Sequence, residues 1–346
     1  MSTATSDTQS TPQLIWYNPQ DWGVEGKGWP DTESFYDRLP AKAHGMVRDI
    51  IWNLSRQSAG LCVHFITDAA AIYARWSLTM ERISMVHMPG VSVSGLDLYA
   101  QDEQGNWRWV AIGKPTAVDN EVQLVGNLLP GRRMYRLYLP LYNGVRSLEI
   151  GVSTDAVFSP VKPRTEKPIV FYGSSIVQGG CASRPGTAHP ALLGRRLNKP
   201  IINLGFSGNA HMEPELAQLL GELDPCVFVI DPLPNMQKPL VEERAEAFVR
   251  TIKERHPHTP LVLVEDRTLQ NAWILPVARE RHAGSRSAFK QAYTRLVAAG
   301  VTGLHYLEGA QLLSDDGEAT VDGSHPTDEG FFRMADALEP VLRALL

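Results

Sequence analysis

Pro168-Ile169-Val170-Phe171-Tyr172-Gly173-Ser174-Ser175 opens a stretch in which four more apolar runs recur: PIINLG (200–205), CVFVID (226–231), PLVLVED (260–266) and VTGLHYL (301–307). None alternates apolar with polar residues, as expected for strands buried on both faces. Between them the pattern predicts helices at about 187–198, 213–223, 240–256 and 284–299, and a last one at about 328–345. Alternating β and α elements predict an α/β unit, a doubly wound parallel sheet of five strands with helices on both faces. Residues 267–283 fit no regular element and are expected to form a loop over the carboxyl edge of the sheet.

Upstream the period changes. Short β-prone runs, LCVHFIT (61–67), AIYARWSL (71–78), LDLYAQD (96–102), WRWVAIG (107–113), MYRLYLP (134–140) and VRSLEIGV (145–152), are separated by turn signals such as Pro130-Gly131 and Asn143-Gly144. Several short strands without long helices between them predict an antiparallel, jelly-roll-like β-sandwich over 14–158. Alternation puts the indoles of Trp107 and Trp109 on one face. Residues 159–168 hold three prolines and four charges and read as a linker, leaving 169–346 as the second domain. The polar stretch 1–13 is expected to be a disordered tail. It has neither a basic start nor an apolar h-region, so it does not read as a signal peptide. No window approaches the roughly 20 apolar residues of a membrane span, and the chain reads as cytoplasmic.

With 346 residues, 43% hydrophobic and 21% charged, the chain has ample material for two ordinary globular cores. A net charge of −5 argues against a nucleic-acid partner or an anionic membrane surface. Three cysteines, odd in number and in no metal-ligand spacing, imply neither a disulfide framework nor a metal site. Cys226 reads as a small buried residue; Cys181, six residues after Ser175, falls near the candidate site. The oligomeric state is not written in these features.

Ligands of open parallel sheets bind outside the carboxyl ends of the strands. The residues that follow the five runs therefore converge. Gly173 allows a tight strand-to-helix turn, and Ser175 leaves it where a helix N-terminus supports negative charge. A serine hydroxyl needs a base to become nucleophilic. His325 is the candidate, with Asp322 three residues ahead to orient the imidazole. His211 and His189 are rivals by position. Acyl transfer also needs donors aimed at the developing oxyanion: the Ser175 and Gly208 N–H groups and the Asn235 amide are the expected three. Arg184 is a candidate for a polar or anionic substrate group. Glu265 and Asp266, with Arg267, sit at the same edge to bind substrate, order the site or pair with one another. This chemistry requires no cofactor and no metal.

As a set these residues resemble the SGNH (GDSL-type) hydrolase superfamily, through Gly173-Ser174-Ser175, Gly208, Asn235 and the Asp-x-x-His of Asp322 and His325. Two departures, Ser174 for the usual aspartate and Leu233-Pro234-Asn235-Met236 for Gly-x-Asn-Asp, look like one branch of it. Tyr172 to Gly186 is similar to that branch's first block, and Gly95-Leu96-Asp97-Leu98-Tyr99 to the Gly-x-Asp-Leu-Tyr motif of its N-terminal sandwich. The resemblance implies a flavodoxin-like SGNH fold after the sandwich. It makes Ser175 the nucleophile, His325 the base and Asp322 its orienter, with Gly208 and Asn235 completing the oxyanion hole.

The expected function is a carboxylic-ester hydrolase acting through an acyl-enzyme. Related two-domain esterases deacetylate carbohydrates, and seven of the eight tryptophans precede the linker. The expected partner is thus a small-molecule ester, a carbohydrate or other small hydroxylated compound carrying a short acyl group such as acetyl. An acyltransferase using the same site is the alternative, and an inactive carbohydrate-binding protein the remote one. No extended apolar lid segment is apparent, which argues against long lipid chains. The sandwich is expected to brace the site and form one wall.

Overall fold

In the computed structural model, which describes residues 13–346, the N-terminal part is built from nine strands and two short helices. They are β1 (Leu14–Tyr17), α1 (Asp49–Ser55), β2 (Cys62–Thr67), β3 (Ile72–Leu78), α2 (Gly90–Ser94), β4 (Leu96–Gln101), β5 (Trp107–Gly113), β6 (Asp119–Val125), β7 (Arg133–Tyr138), β8 (Val145–Ser153) and β9 (Phe158–Val161). The tail expected at 1–13 lies outside the described residues except for Gln13. Two antiparallel sheets result, β1-β8-β3-β6 and β5-β4-β7-β2-β9. Alternate residues point inward and pack a shared core that includes Val63, Phe65, Trp76, Leu98, Leu137 and Ile150.

The Pro-rich stretch is not a free linker from its start. Residues 158–161 pair with β2, Ile66 opposite Ser159 and His64 opposite Val161. β9 is the edge of its sheet, the place where Pro160 costs no ladder hydrogen bond. Past it, Arg164 Nε donates to Glu25 Oε2 at 2.8 Å and fastens the chain to the N-terminal segment.

The second half alternates as the apolar runs predict: β10 (Ile169–Gly173), α3 (Ser175–Gln178), α4 (His189–Arg196), β11 (Ile201–Gly205), α5 (Pro214–Leu220), β12 (Val227–Asp231), α6 (Lys238–Arg255), β13 (Leu261–Val264), α7 (Pro276–Ala298), β14 (Leu304–Leu307) and α8 (Asp328–Arg343). All pairings are parallel, in the order β11-β10-β12-β13-β14. Val170, Tyr172, Phe228 and Ile230 face α5, α6 and α7; Ile169, Phe171, Val227 and Val229 face α4 and α8. No described helix is long and apolar enough to cross a membrane.

Two features depart from the expectation. Helix α7 begins at Pro276, not near 284. Pro suits the first helical position, but residues 276–281 are exposed or half-exposed on every side and so carry no apolar stripe to read. Residues before β2 also do more than extend the sandwich: Trp29, Leu39, Val47, Ile51 and Trp52 pack into the core of the parallel sheet. Among them Arg38 is fully buried and donates to Asn203 O (3.0 Å) and Gly205 O (2.8 Å), tying the end of β11 to the N-terminal segment.

Candidate active site

Strand order reverses around β10, and the crevice there is where such sheets bind ligands. A side chain at Gly173 has no room: its Cβ would stand 2.4 Å from Val177 Cγ2 and 2.5 Å from Asp231 O. The chain therefore turns sharply into α3, capped by Ser174 Oγ accepting the Ile176 N–H at 3.3 Å. The Ser175 carbonyl accepts the N–H groups of Gly179 (3.0 Å) and Gly180 (2.7 Å) and the Tyr142 hydroxyl (3.2 Å). Tyr142 comes from the loop between β7 and β8, so the sandwich holds the turn that presents Ser175.

His325 Nε2 lies 2.9 Å from Ser175 Oγ, and His325 Nδ1 lies 2.8 Å from Asp322 Oδ2. The other carboxylate oxygen accepts the N–H groups of Ser324 (2.9 Å) and His325 (2.8 Å). Burial works against the charge on Asp322, but these donors outweigh it and hold the carboxyl at about 2. A charged Asp322 can stabilise an imidazolium as the Ser175 proton moves to His325. The Asp322–His325 turn is held from behind. Arg267, buried and paired with Asp266, donates from Nε to Ser324 O (2.8 Å) and from Nη2 to Ser324 Oγ (2.6 Å). Gln270 N–H donates to Gly323 O at 3.0 Å. The segment expected to lie over the sheet edge thus supports this turn.

Gly208 has φ +70° and open space where a Cβ would be. Asn235 Oδ1 accepts the Ala210 N–H at 3.1 Å, which leaves its Nδ2 as a donor. The Ser175 N–H, the Gly208 N–H and Asn235 Nδ2 find no acceptor among the described residues. Arg48, from the N-terminal segment, grips the loop after Gly208 through Asn209 Oδ1 (2.9 Å), Asn209 O (3.2 Å) and Glu213 Oε1 (2.9 Å from Nε).

The rival residues are placed otherwise. His189 is buried between Phe171 and Phe331 with both ring nitrogens unpaired, and burial pushes it down to about 3. His211 sits between Arg48 and Glu213. Burial pushes the Cys181 thiol up to about 12, where it is no nucleophile at neutral pH. Arg184 donates to Asp97 Oδ2 at 3.0 Å and to the Tyr99 hydroxyl. The Asp97 and Tyr99 of the Gly-x-Asp-Leu-Tyr motif are thus what fastens it. Glu265 accepts from Tyr306 OH (3.0 Å) and Gly309 N–H (2.8 Å), and Asp266 pairs with Arg267, so both have protein partners. Sequence reasoning did not find Tyr142, Arg48 or His87, whose ring stands 6.0 Å from that of His325. Each is an ordinary polar residue far away in the chain.

Beside Asp322 and Ser324 opens a cavity of about 290 Å³, lined by Leu233, Met236, Leu269 and Leu275 together with the polar Asp266, Arg267, Arg281 and His282. Trp273, Ile274, Leu275 and Val277 stand exposed next to it. A short apolar segment therefore borders the cavity, without amounting to an extended lid. It is four side chains broken by Pro276 and has neither strand nor helix period.

Asp231 ends β12 in full burial, which pushes its carboxyl up to about 7 against the pull of Arg267. An unfolded aspartate titrates near 4. Between about pH 4 and 7 the native state therefore keeps a proton that the unfolded chain has lost, and stability falls with rising pH. The loss across that window is at most about 4 kcal/mol. Asp231→Asn is expected to gain stability over the wild type at pH 8 relative to pH 5 in urea unfolding. The same difference at both pH values would refute a protonated Asp231.

Among the described residues one cluster has metal-ligating types, Glu25, Cys62 and His64. Guanidiniums already fill it. Arg164 pairs with both oxygens of Glu25 (2.6 and 2.8 Å), and Arg136 Nε donates to His64 Nε2 at 2.7 Å. A cation would have to displace them, and the residues do not fit one.

Residues 166–343 match the model of the GDSL-like lipase/acylhydrolase family, and 14–158 match the model described as the N-terminus of SGNH-hydrolase-type esterases. A solved structure described as a GDSL-like lipase from Bacteroides ovatus aligns at 34% identity with a TM-score of 0.92, covering 96% of this chain and 98% of that one. A salicylyl-acyltransferase from a tetracycline biosynthetic pathway aligns at 21% identity and TM-score 0.78, over 96% and 97%. A family two carbohydrate esterase from Clostridium thermocellum, in complex with cellohexaose, aligns at 14% and 0.60, over 83% and 96%. These last two share the fold alone. A search of curated proteins finds no significant match.

Proposed function

Because the chain belongs to the GDSL-like lipase/acylhydrolase family and is a serine esterase of the SGNH type, we propose that Ser175, His325 and Asp322 are its nucleophile, base and orienting acid. The family's chemistry is ester hydrolysis or acyl transfer. The observation that carries the assignment is the unbroken contact from Ser175 Oγ through the imidazole to Asp322, at 2.9 and 2.8 Å.

In this reading Ser175 Oγ attacks the ester carbonyl as its proton passes to His325 Nε2. The tetrahedral oxyanion is met by the Ser175 and Gly208 N–H groups and Asn235 Nδ2. The C–O bond to the alcohol breaks, and the imidazolium returns its proton to the leaving oxygen. Water, deprotonated by His325, then attacks the acyl-enzyme, releasing the carboxylic acid and restoring Ser175.

We take the substrate to be a carbohydrate, or another small hydroxylated compound, bearing a short acyl group. The exposed indole of Trp109 on the sandwich and the fold shared with a carbohydrate esterase support it. The cavity of about 290 Å³ beside Asp322 favours a second reading, in which a bulkier alcohol accepts the acyl group in place of water. Partitioning of the acyl-enzyme decides between them. With p-nitrophenyl acetate and added sugar or polyol, acetate is expected to form in equal amount to p-nitrophenol. Accumulation of the acetylated polyol at the expense of acetate would make the protein a transferase.

A further inference from the structure

Between strands β4 and β5 of the sandwich and helices α4 and α8 lies a cleft of about 700 Å³. Four arginines line it, Arg108, Arg184, Arg195 and Arg196, and no acidic side chain does among the described residues, in a chain whose net charge is −5. Aromatic rings stand between the guanidiniums: Trp109 is 51% exposed and Phe332, across the cleft, 42%. The carboxylates that meet these arginines do not line the cleft. Asp97 is buried under Arg184 (3.0 Å), Asp102 pairs with Arg108 (3.1 Å), and Asp336 (2.6 Å) and Glu339 (3.2 Å) both reach Arg196. Arg195 meets no carboxylate among the described residues. It donates to Tyr138 OH (3.1 Å) and Gly186 O (2.7 Å) and lies 4.1 Å over the Tyr99 ring.

A guanidinium without a salt-bridge partner, beside exposed indole and phenyl faces, suits a ligand with a flat apolar face and negative charge at its rim. A sugar ring presents its C–H face to an aromatic platform, and a carboxylate on that ring meets arginine in the geometry arginine favours. We infer that the cleft is a second binding site, for a carboxylated oligosaccharide, which holds an acidic polymer while one of its esters reaches Ser175. The inference rests on the carbohydrate reading of the substrate. Position agrees with it. Arg184 is four residues from Gly180, where a Cβ would stand 3.2 Å from His325 Cδ2, and four residues span at most about 15 Å. A single-stranded nucleic acid would also find rings and arginines here. The carbohydrate reading of the substrate favours the acidic sugar, and tighter binding of single-stranded DNA is an outcome that the test would reveal.

The test is calorimetric titration with an oligogalacturonate, which bears no ester and so needs no turnover. The wild type is expected to bind it, more weakly as salt rises. Cellohexaose, an uncharged oligosaccharide, should bind at least roughly tenfold more weakly, and Trp109→Ala should weaken oligogalacturonate binding by about tenfold, the scale of one lost stacking contact. Arg108→Gln, whose side chain is 74% exposed and bonds only Asp102, should weaken it about threefold, the scale of one exposed charge contact, without touching the fold. Far-UV circular dichroism checks that Trp109→Ala remains folded; if it does not, Arg108→Gln decides. No binding by wild type, equal binding of cellohexaose, unchanged binding by both variants, or tighter binding of single-stranded DNA would each overturn the inference. The esterase reading stands or falls separately, on p-nitrophenyl acetate turnover.

Discussion

Ser175→Ala is expected to lower p-nitrophenyl acetate turnover by roughly 10⁴–10⁶. The hydroxyl is the only protein group in the proposed mechanism that forms a covalent bond to the acyl carbon, and nothing nearby replaces it. Ser174 Oγ is turned inward as the cap of α3, and the Cys181 thiol is held protonated by its burial. His325→Ala is expected to fall as far, and the double variant no further, because the two act as one unit. What remains reflects the oxyanion donors and binding alone. Turnover within tenfold of wild type in Ser175→Ala would sink the assignment. A loss in the double variant equal to the product of the singles would show two independent roles in place of one proton path.

Asn235→Ala is expected to cost 10²–10³ in kcat, the scale of one lost oxyanion donor, with KM little changed. The alternative is that Asn235 only supports its neighbours, since its Oδ1 accepts the Ala210 N–H at 3.1 Å beside the loop that carries Gly208. Asn235→Asp separates the two. Aspartate keeps the acceptor for Ala210 but replaces the donor with a second oxygen, which faces the developing negative charge. A donor role predicts a loss at least as large as that of alanine. Near wild-type kcat in Asn235→Asp, together with a damaged Asn235→Ala, would reduce Asn235 to a positioning residue.

The parallel sheet, and the placement of Ser175, Gly208 and Asn235 just past the ends of its strands, were legible in the sequence. Burial on both faces writes itself as an unbroken apolar run, and residues directly after parallel strands must gather at their carboxyl ends. Elements without a stripe were harder. β9 is a proline-bearing edge strand, and the first turns of α7 are exposed all round, so neither carries the period that marks burial. Arg267 was legible at that edge, but the partners of the site's supports were not. Tyr142 meets Ser175 across 33 positions, Arg267 meets Ser324 across 57 and Arg48 meets Asn209 across 161. Each is a polar residue whose neighbours in the chain give no sign of its partner. Gly95 to Tyr99 shows the limit from the other side. The motif identified a relative, but only packing revealed that Asp97 and Tyr99 clasp Arg184 and so build the wall of an arginine-lined cleft. Periodicity records whether a residue is buried, which is a local property. Which distant donor meets which acceptor depends on how the two cores dock, and only the tertiary structure decided that.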